Sequence, residues 1–323
     1  MALKYGIYVP NCWAYASVGA LVELARAADA AGWDGFFVWD HLLIAEDIPV
    51  IDSQIAVAAV AGATSGGRLE RIGSLVTPLA RRRPWKVARE TAALQEVAGG
   101  RLVVGVGLGQ PPEYEFSNQE LASPADRGAA LDDALELLGR FWSGSGFSWE
   151  RTRDGAVDGR EAPRVEAPPF LPVPDPVPPI WVAGVIHRED GSPASDEVVM
   201  TRDEYKPQVV ERTVRQPTRP FRRAARYQGL FPIAMPWDND APLTPAELAQ
   251  AVRYAFPGGD VREGFDVVTC GRTLGADAPV AAADLEAYEH AGATWWLEAP
   301  PDLASLDEAL AIIRSGPPVA ATA

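Results

Sequence analysis

The sequence predicts an α/β protein folded as a (β/α)8 barrel, and three observations predict it. Short β-prone apolar runs alternate with helix-like runs along almost the whole chain, which implies a parallel sheet covered by helices. Eight such pairs can be drawn, and eight fit a closed barrel better than an open doubly wound sheet. The chain has 323 residues, a length that α/β barrels reach as one domain, so residues 1–323 read as a single domain.

Lys4–Pro10 is the first strand. Val18–Ala31 follows as a helix, with Val18, Leu21, Val22, Leu24 and Ala25 at helical spacing, Ser17 as its N-cap and Gly32 as its stop. Gly35–Trp39 (GFFVW) is wholly apolar, as expected of a strand buried on both faces. Asp52–Thr64 is an Ala-rich helix, Arg71–Val76 the third strand, and Trp85–Val97 the third helix, with Pro84 suited to its first turn. Leu102–Val106 is the fourth strand, and helix Asp126–Trp142 follows a loop. Ile180–Ala183, Gly229–Ala234, Phe265–Thr269 and Thr294–Leu297 complete the strands. Phe221–Arg226, Pro245–Phe256 (capped by Thr244), Ala281–Ala291 and Leu306–Ile313 complete the helices. Residues 163–179 hold eight prolines and read as an extended surface connection. Residues 185–217 form a polar, charged insertion after the fifth strand.

Composition narrows the function. Against 44 Asp+Glu stand 29 Lys+Arg, a net charge of −15, so neither nucleic acid nor an anionic membrane is the expected partner. No apolar run reaches the roughly 18 residues of a membrane span, and MALKYGIYVPN enters strand-like sequence without a signal peptide. A cytoplasmic enzyme is expected. Two cysteines (Cys12, Cys270) and three histidines (His41, His187, His290) cannot build a disulfide framework, and they leave a zinc site improbable on ligand supply. No GxSxG elbow or GxxxxGK[ST] loop is present.

Four motifs remain. Gly105-Val106-Gly107-Leu108-Gly109 follows a strand, but Gln110, Pro111 and Pro112 deny it the third glycine and free helix N-terminus of a dinucleotide fingerprint. Its glycines could still let a ligand approach the backbone. Trp39-Asp40-His41 ends the second strand, where barrel residues face the active-site mouth. His41 there is a candidate proton donor or acceptor positioned by Asp40. Ser74–Leu79 leads into Arg81-Arg82-Arg83, which reads as a basic surface turn. In Thr294–Glu298, alternation points one of Trp295 and Trp296 into the barrel and the other toward the helices.

In order along the chain, FVWDHL (37–42), RIGSLVTPLARRRPWKVARETAAL (71–94), GGRLVVGVGLG (99–109), RGAALDDALELLGRFWSG (127–144), PPIWVAG (178–184), RPFRRAARYQGLFP (219–232) and GATWWLE (292–298) resemble the bacterial luciferase-like flavin or deazaflavin oxidoreductases. The resemblance implies a (β/α)8 TIM barrel that binds FMN or the deazaflavin coenzyme F-420 (F420) at its C-terminal mouth. It implies a non-proline cis peptide in the third strand, at Ser74–Leu75, and a histidine, His41, beside the reacting face of the ring. It also implies cofactor contacts from Ser74, Leu75, Thr77, Gly107, Leu108, Gly109 and Gly184. Gln110 stands where the family's deazaflavin sugar-phosphate dehydrogenases carry a carboxylate, which counts against sugar-phosphate oxidation.

The expected function is a flavin-dependent oxidoreductase or monooxygenase acting on a small organic substrate, with F420-dependent hydride transfer as the alternative. Trp13, Trp39, Trp296 and Glu298 are the candidate substrate-binding residues. A third reading keeps the barrel without any cofactor, as an enzyme or binding protein. A flavin reductase is a candidate partner. The small residues of the second helix (Ala56, Ala58, Ala59, Ala61, Gly62, Ala63) suggest a homodimer. Residues 185–217 are expected to form a lid, with β-prone runs at 197–201 and 208–214 making a hairpin.

Overall fold

The computed structural model describes residues 2–110, 112–115, 123–151, 164–188, 199–200, 207–208, 218–235, 241–275 and 277–318. The first half runs β1 (Lys4–Val9), α1 (Val18–Ala31), β2 (Gly35–Val38), α2 (Ser53–Ala63), β3 (Arg71–Pro78), α3 (Pro84–Val97), β4 (Leu102–Gly107), the single turn α4 (Pro112–Glu115) and α5 (Pro124–Trp142). An antiparallel pair, β5 (Phe147–Glu150) and β6 (Arg164–Ala167), precedes β7 (Ile180–His187). The two-residue strands β8 (Val199–Met200) and β9 (Pro207–Gln208) pair antiparallel. Then come α6 (Arg219–Ala224), β10 (Gly229–Met235), α7 (Pro245–Ala255), β11 (Asp266–Gly271), α8 (Leu285–His290), β12 (Trp295–Glu298) and α9 (Leu306–Arg314).

Eight of these strands close into a parallel barrel in the order β1-β12-β11-β10-β7-β4-β3-β2, the fold expected from alternation. Helix ends follow local chemistry. Asp52 caps α2 by accepting from the Ile55 amide, and Thr244 and Ser305 build capping boxes with Glu247 and Glu308 on α7 and α9. Gly32 stops α1 in a left-handed conformation at φ +90°. Ser17 stands at the N-cap of α1 without a side-chain cap bond, so backbone alone closes that end. The β8–β9 pair falls inside the predicted insertion, and most of the expected lid lies outside the described residues.

Strand alternation divides the core in two. One layer lies between strands and helices and includes Ile7, Phe36, Val104, Val182 and Leu230. The other fills the barrel and includes Tyr8, Phe37, Trp39, Leu75, Trp181, Phe231, Trp295 and Leu297. Near the N-terminal ends of the strands, Phe37 lies 5.2 Å from Trp181 and 6.0 Å from Trp295, ring centre to ring centre. Asp266 at the start of β11 accepts from both indoles, at 3.0 Å from Trp181 Nε1 and 3.1 Å from Trp295 Nε1. That end of the barrel is a packed plug.

Truncating Phe37→Ala should cost about 3–5 kcal/mol of unfolding free energy in urea titrations, the range for a fully buried aromatic. Gly139→Ala, inside α5 with nothing within 4 Å of the added methyl, should instead gain about 0.5–1 kcal/mol through helix propensity.

Candidate active site

The C-terminal ends of β2, β3 and β4 bring one group of polar side chains together. His41 follows β2, and its backbone is clamped by Asn11. The Asn11 amide donates to the carbonyls of His41 (2.8 Å) and Ile51 (2.7 Å), and the His41 N–H donates back to Asn11 Oδ1 (3.2 Å). Asp40 turns away from His41. Its carboxylate accepts from Arg81 Nη2 (2.8 Å) and Arg82 Nη2 (2.8 Å), and its carbonyl accepts a further bond from Arg81 (2.8 Å).

The carboxylate beside His41 is Glu113, on α4. Its Oε1 lies 3.1 Å from His41 Nδ1 and accepts the Leu42 N–H at 2.8 Å, while Oε2 pairs with Arg81 Nη1. The side chains of Asp40 and Glu113 are 3% and 1% exposed. Burial pushes the Glu113 carboxyl up, but the His41 hydrogen bond, the Arg81 charge and the Leu42 amide outweigh it and hold Glu113 below the usual carboxylate range.

Inside the mouth the surface is apolar. Tyr8, Trp39 and Leu75 wall it, with Trp13, Val76, Ala183 and Ile233 partly exposed against them. Trp39 lies 5.8 Å from Tyr8, 6.2 Å from Trp13 and 5.5 Å from His41, ring centre to ring centre. The Tyr8 hydroxyl donates to the Leu75 carbonyl at 2.8 Å. Trp13 holds φ +55°, a conformation unfavourable for a bulky residue and concentrated at functional sites.

The mouth thus brings together His41, Trp13, Trp39, Leu75 and Gly107. Other expected site residues face the helix layer. Ser74 and Thr77 are buried outside the barrel, 2.8 Å apart, and Gln54 of α2 donates to both. Leu108 packs with the helix-side core, and its carbonyl accepts from the Tyr114 hydroxyl (2.8 Å). Gly109, at φ +73°, turns the chain beside Pro78 and Tyr114, and a side chain on Gly184 would strike the Phe221 ring of α6.

Besides Asp40, which pairs with Arg81 and Arg82 and does not position His41, four expectations are corrected. The non-proline cis bond joins Leu75 to Val76, one residue beyond the expected bond. Trp296 packs between barrel and helices, 5.0 Å from Tyr288 of α8, because Trp295 holds the inward position. Glu298 shares that outward side: Trp296 Nε1, both Thr273 donors and the Leu274 amide bind its carboxylate, so it fastens the turn after β11. Arg81 and Arg82 are structural ion-pair partners of Asp40, with side chains 11% and 20% exposed, where a basic surface turn was expected. Glu113 and Arg81 were missed because their roles depend on the approach of separate loops; Glu113, three residues past Gln110, carries no spacing signature.

Two measurements check this network. Asp40→Ala removes the carboxylate that Arg81 and Arg82 share, leaving Arg81 only Glu113, and should destabilise by about 3–5 kcal/mol, the range for breaking a buried pair from one side. A carboxylate held below its unfolded value adds stability above that value and loses it as pH falls through the folded one. The part of the stability difference between wild type and Glu113→Gln that comes from this carboxylate should therefore shrink in urea unfolding below about pH 4.

The family model described as luciferase-like monooxygenase matches residues 4–189. A phthiodiolone/phenolphthiodiolone dimycocerosates ketoreductase of Mycobacterium kansasii is 27% identical over 174 residues, covering 49% of this chain and 45% of that protein. An F420-dependent glucose-6-phosphate dehydrogenase of Tsukamurella paurometabola is 33% identical over 129 residues, covering 38% of each chain. These alignments span less than half of each relative. A monooxygenase from Streptomyces bottropensis superposes over 97% of both chains, with a TM-score of 0.67 and 19% identity. An F420-dependent secondary alcohol dehydrogenase, crystallised with an F420–acetone adduct, superposes over 98% of this chain and 99% of its own, with a TM-score of 0.65 and 14% identity. The structural matches share the closed barrel, and the family model covers more than half the sequence, including β2, β3 and β4 with their site residues. The chain belongs to the luciferase-like monooxygenase family.

Proposed function

We propose that the chain is an oxidoreductase acting on a small organic substrate at a noncovalently bound FMN or, alternatively, coenzyme F420, with His41 moving a proton at the reacting edge. The observation that carries this reading is His41 at the rim of an apolar, aromatic-walled mouth, beside the ion-paired cluster of Asp40, Glu113, Arg81 and Arg82. Relatives support both cofactors: the Tsukamurella dehydrogenase is F420-dependent, and a 3,6-diketocamphane monooxygenase of Pseudomonas putida, 15% identical over 84% of this chain and 69% of its own with a TM-score of 0.54, is solved with FMN.

The residues fit a flat ring system. Leu75, Val76 and Ala183 offer an aliphatic face, and Gly107 lies between them without a side chain. When bound, either cofactor supplies hydride chemistry, and a flavin can also activate oxygen. The chain's own contribution is orientation, exclusion of water and proton transfer. Leu75, Val76, Ala183 and Gly107 would seat the ring, Trp13 and Trp39 would bound the substrate space, and His41 would give or take the proton. Ser74 and Thr77 would act at one remove, by holding the bulge of β3 against Gln54. Trp296 and Glu298, which face the helices, have no place in this assignment.

The same reading includes a homodimer paired through α2, whose Ala58, Ala59, Gly62 and Ala63 are at least partly exposed, and a separate flavin reductase if FMN is the cofactor. No helix among the described residues is long and apolar enough to cross a membrane.

Spectral titration should show FMN or F420 binding with Kd below about 100 μM, roughly −5.5 kcal/mol; failure of both overturns the reading. His41→Ala should retain the cofactor within about threefold yet lose about 100-fold or more in kcat, the lower range for general acid–base catalysis. Light scattering should give twice the 34.6 kDa chain mass.

A further inference from the structure

We propose that Glu113 is a positioning residue that fixes neutral His41 as its Nδ1–H tautomer, leaving Nε2 as the nitrogen that exchanges a proton with the reactant. The inference deepens, and rests on, the reading of His41 as the proton-moving group.

The argument is one of donors and acceptors. Glu113 Oε1 stands 3.1 Å from His41 Nδ1, with the Leu42 N–H on the same oxygen at 2.8 Å and Arg81 on Oε2. Three donor positions converge on one buried carboxyl group, and an ionised carboxylate can only accept. The hydrogen between Glu113 and His41 therefore belongs to Nδ1. The Arg81 charge opposes protonation of Glu113, so Glu113 orients the ring and does not itself take the proton onward.

The other ring nitrogen is available. His41 Nε2 has no hydrogen-bond partner among the described residues, and the His41 side chain is 18% exposed. Asn11 fixes the His41 backbone from both its N–H and its carbonyl, and Trp39 packs beside the ring, 5.5 Å away at an interplanar angle of 67°. Asp40 and Glu113 balance Arg81 and Arg82 in charge.

In the proton-transfer step, an O–H or N–H bond of the reactant breaks as the Nε2–H bond forms. The bonding electron pair stays on the reactant, and the resulting imidazolium keeps its Nδ1–H on Glu113. The reverse step returns the same proton. A His41 carrying its hydrogen on Nε2 would have no lone pair at the mouth and could not begin as a base.

The test is nitrogen-15 NMR of histidine-labelled, cofactor-free full-length protein, with the His41 signals assigned by their loss in His41→Gln. Neutral wild-type His41 should be protonated on Nδ1. Glu113→Gln, which can donate as well as accept, and Glu113→Asp, which keeps the charge but withdraws it by one methylene, should both lose that preference. In the cofactor-loaded enzyme both should lower kcat by about 100-fold or more and leave KM within about threefold. Wild-type protonation on Nε2 overturns the proposal. So does an unchanged tautomer in folded variants, or kcat lost with KM raised to match. If the variants do not fold, the wild-type spectrum alone decides. Failure of both cofactors to bind, with Nδ1 protonated as expected, would instead sink the redox reading and leave the positioning role standing.

Discussion

Arg81 donates to the carbonyl and carboxylate of Asp40 and to Glu113 from a single guanidinium, and this sharing locks three strand ends into one unit. The end of β2 carries Asp40 and His41, the turn after β3 carries Arg81 and Arg82, and α4 after β4 carries Glu113. A planar fork with five donors serves two carboxylates and a carbonyl in one fixed geometry, whereas a lysine ammonium is a compact point charge on a flexible stem. Burying an ion costs several kcal/mol unless it is paired and hydrogen-bonded. Each of the four charged groups is tolerated because the others are present, so the position of His41 depends on all of them.

That dependence explains what the sequence disclosed and what it did not. The eight strands were legible because alternation and helical spacing are local, and the ends of α2, α7 and α9 because Asp52, Thr244 and Ser305 act within one turn. His41 was legible through its place after an apolar strand. Glu113 was not, since nothing near Pro111-Pro112 signals a reach to His41, 72 positions away. Arg81 and Arg82 resembled surface residues because a run of three arginines usually stays in water. The pairing of Trp295 and Trp296 left two parities open, and only the register with β1 and β11 decides which indole enters the barrel.

The mouth and its surroundings divide the chemistry. Around His41 the charges of Asp40, Glu113, Arg81 and Arg82 satisfy one another, while Tyr8, Trp39, Leu75 and Phe231 make the barrel interior apolar. In such a medium an interaction with a single polar group gains weight, because water does not compete with it. A histidine presented at this boundary can keep one nitrogen in the polar cluster and the other toward the apolar space. In the proposed reaction, proton transfer would then need no bulk water at the reacting atoms, a condition that hydride and oxygen chemistry share.

The third strand shows how a single irregularity shapes the cavity and also produces the motif that looked like a nucleotide loop. The pairing of β3 with β4 shifts register between Ser74 and Thr77, and the consecutive side chains of Leu75 and Val76 both join the interior cluster. Two neighbours can point inward only where the facing strand makes room. On β4, a side chain on Gly105 would collide with Leu75, and one on Gly107 would come within 2.6 Å of Val76 Cγ2. The Gly105-Val106-Gly107 pattern is thus required by the bulge, and its resemblance to a phosphate-binding turn is incidental. The outward partners of the same bulge, Ser74 and Thr77, are tied by Gln54 of α2, which gives buried hydroxyls their partners and braces the strand from behind. Under the proposed function, ligand contact at this wall would fall to Leu75 and Val76, while Ser74 and Thr77 hold that wall in place.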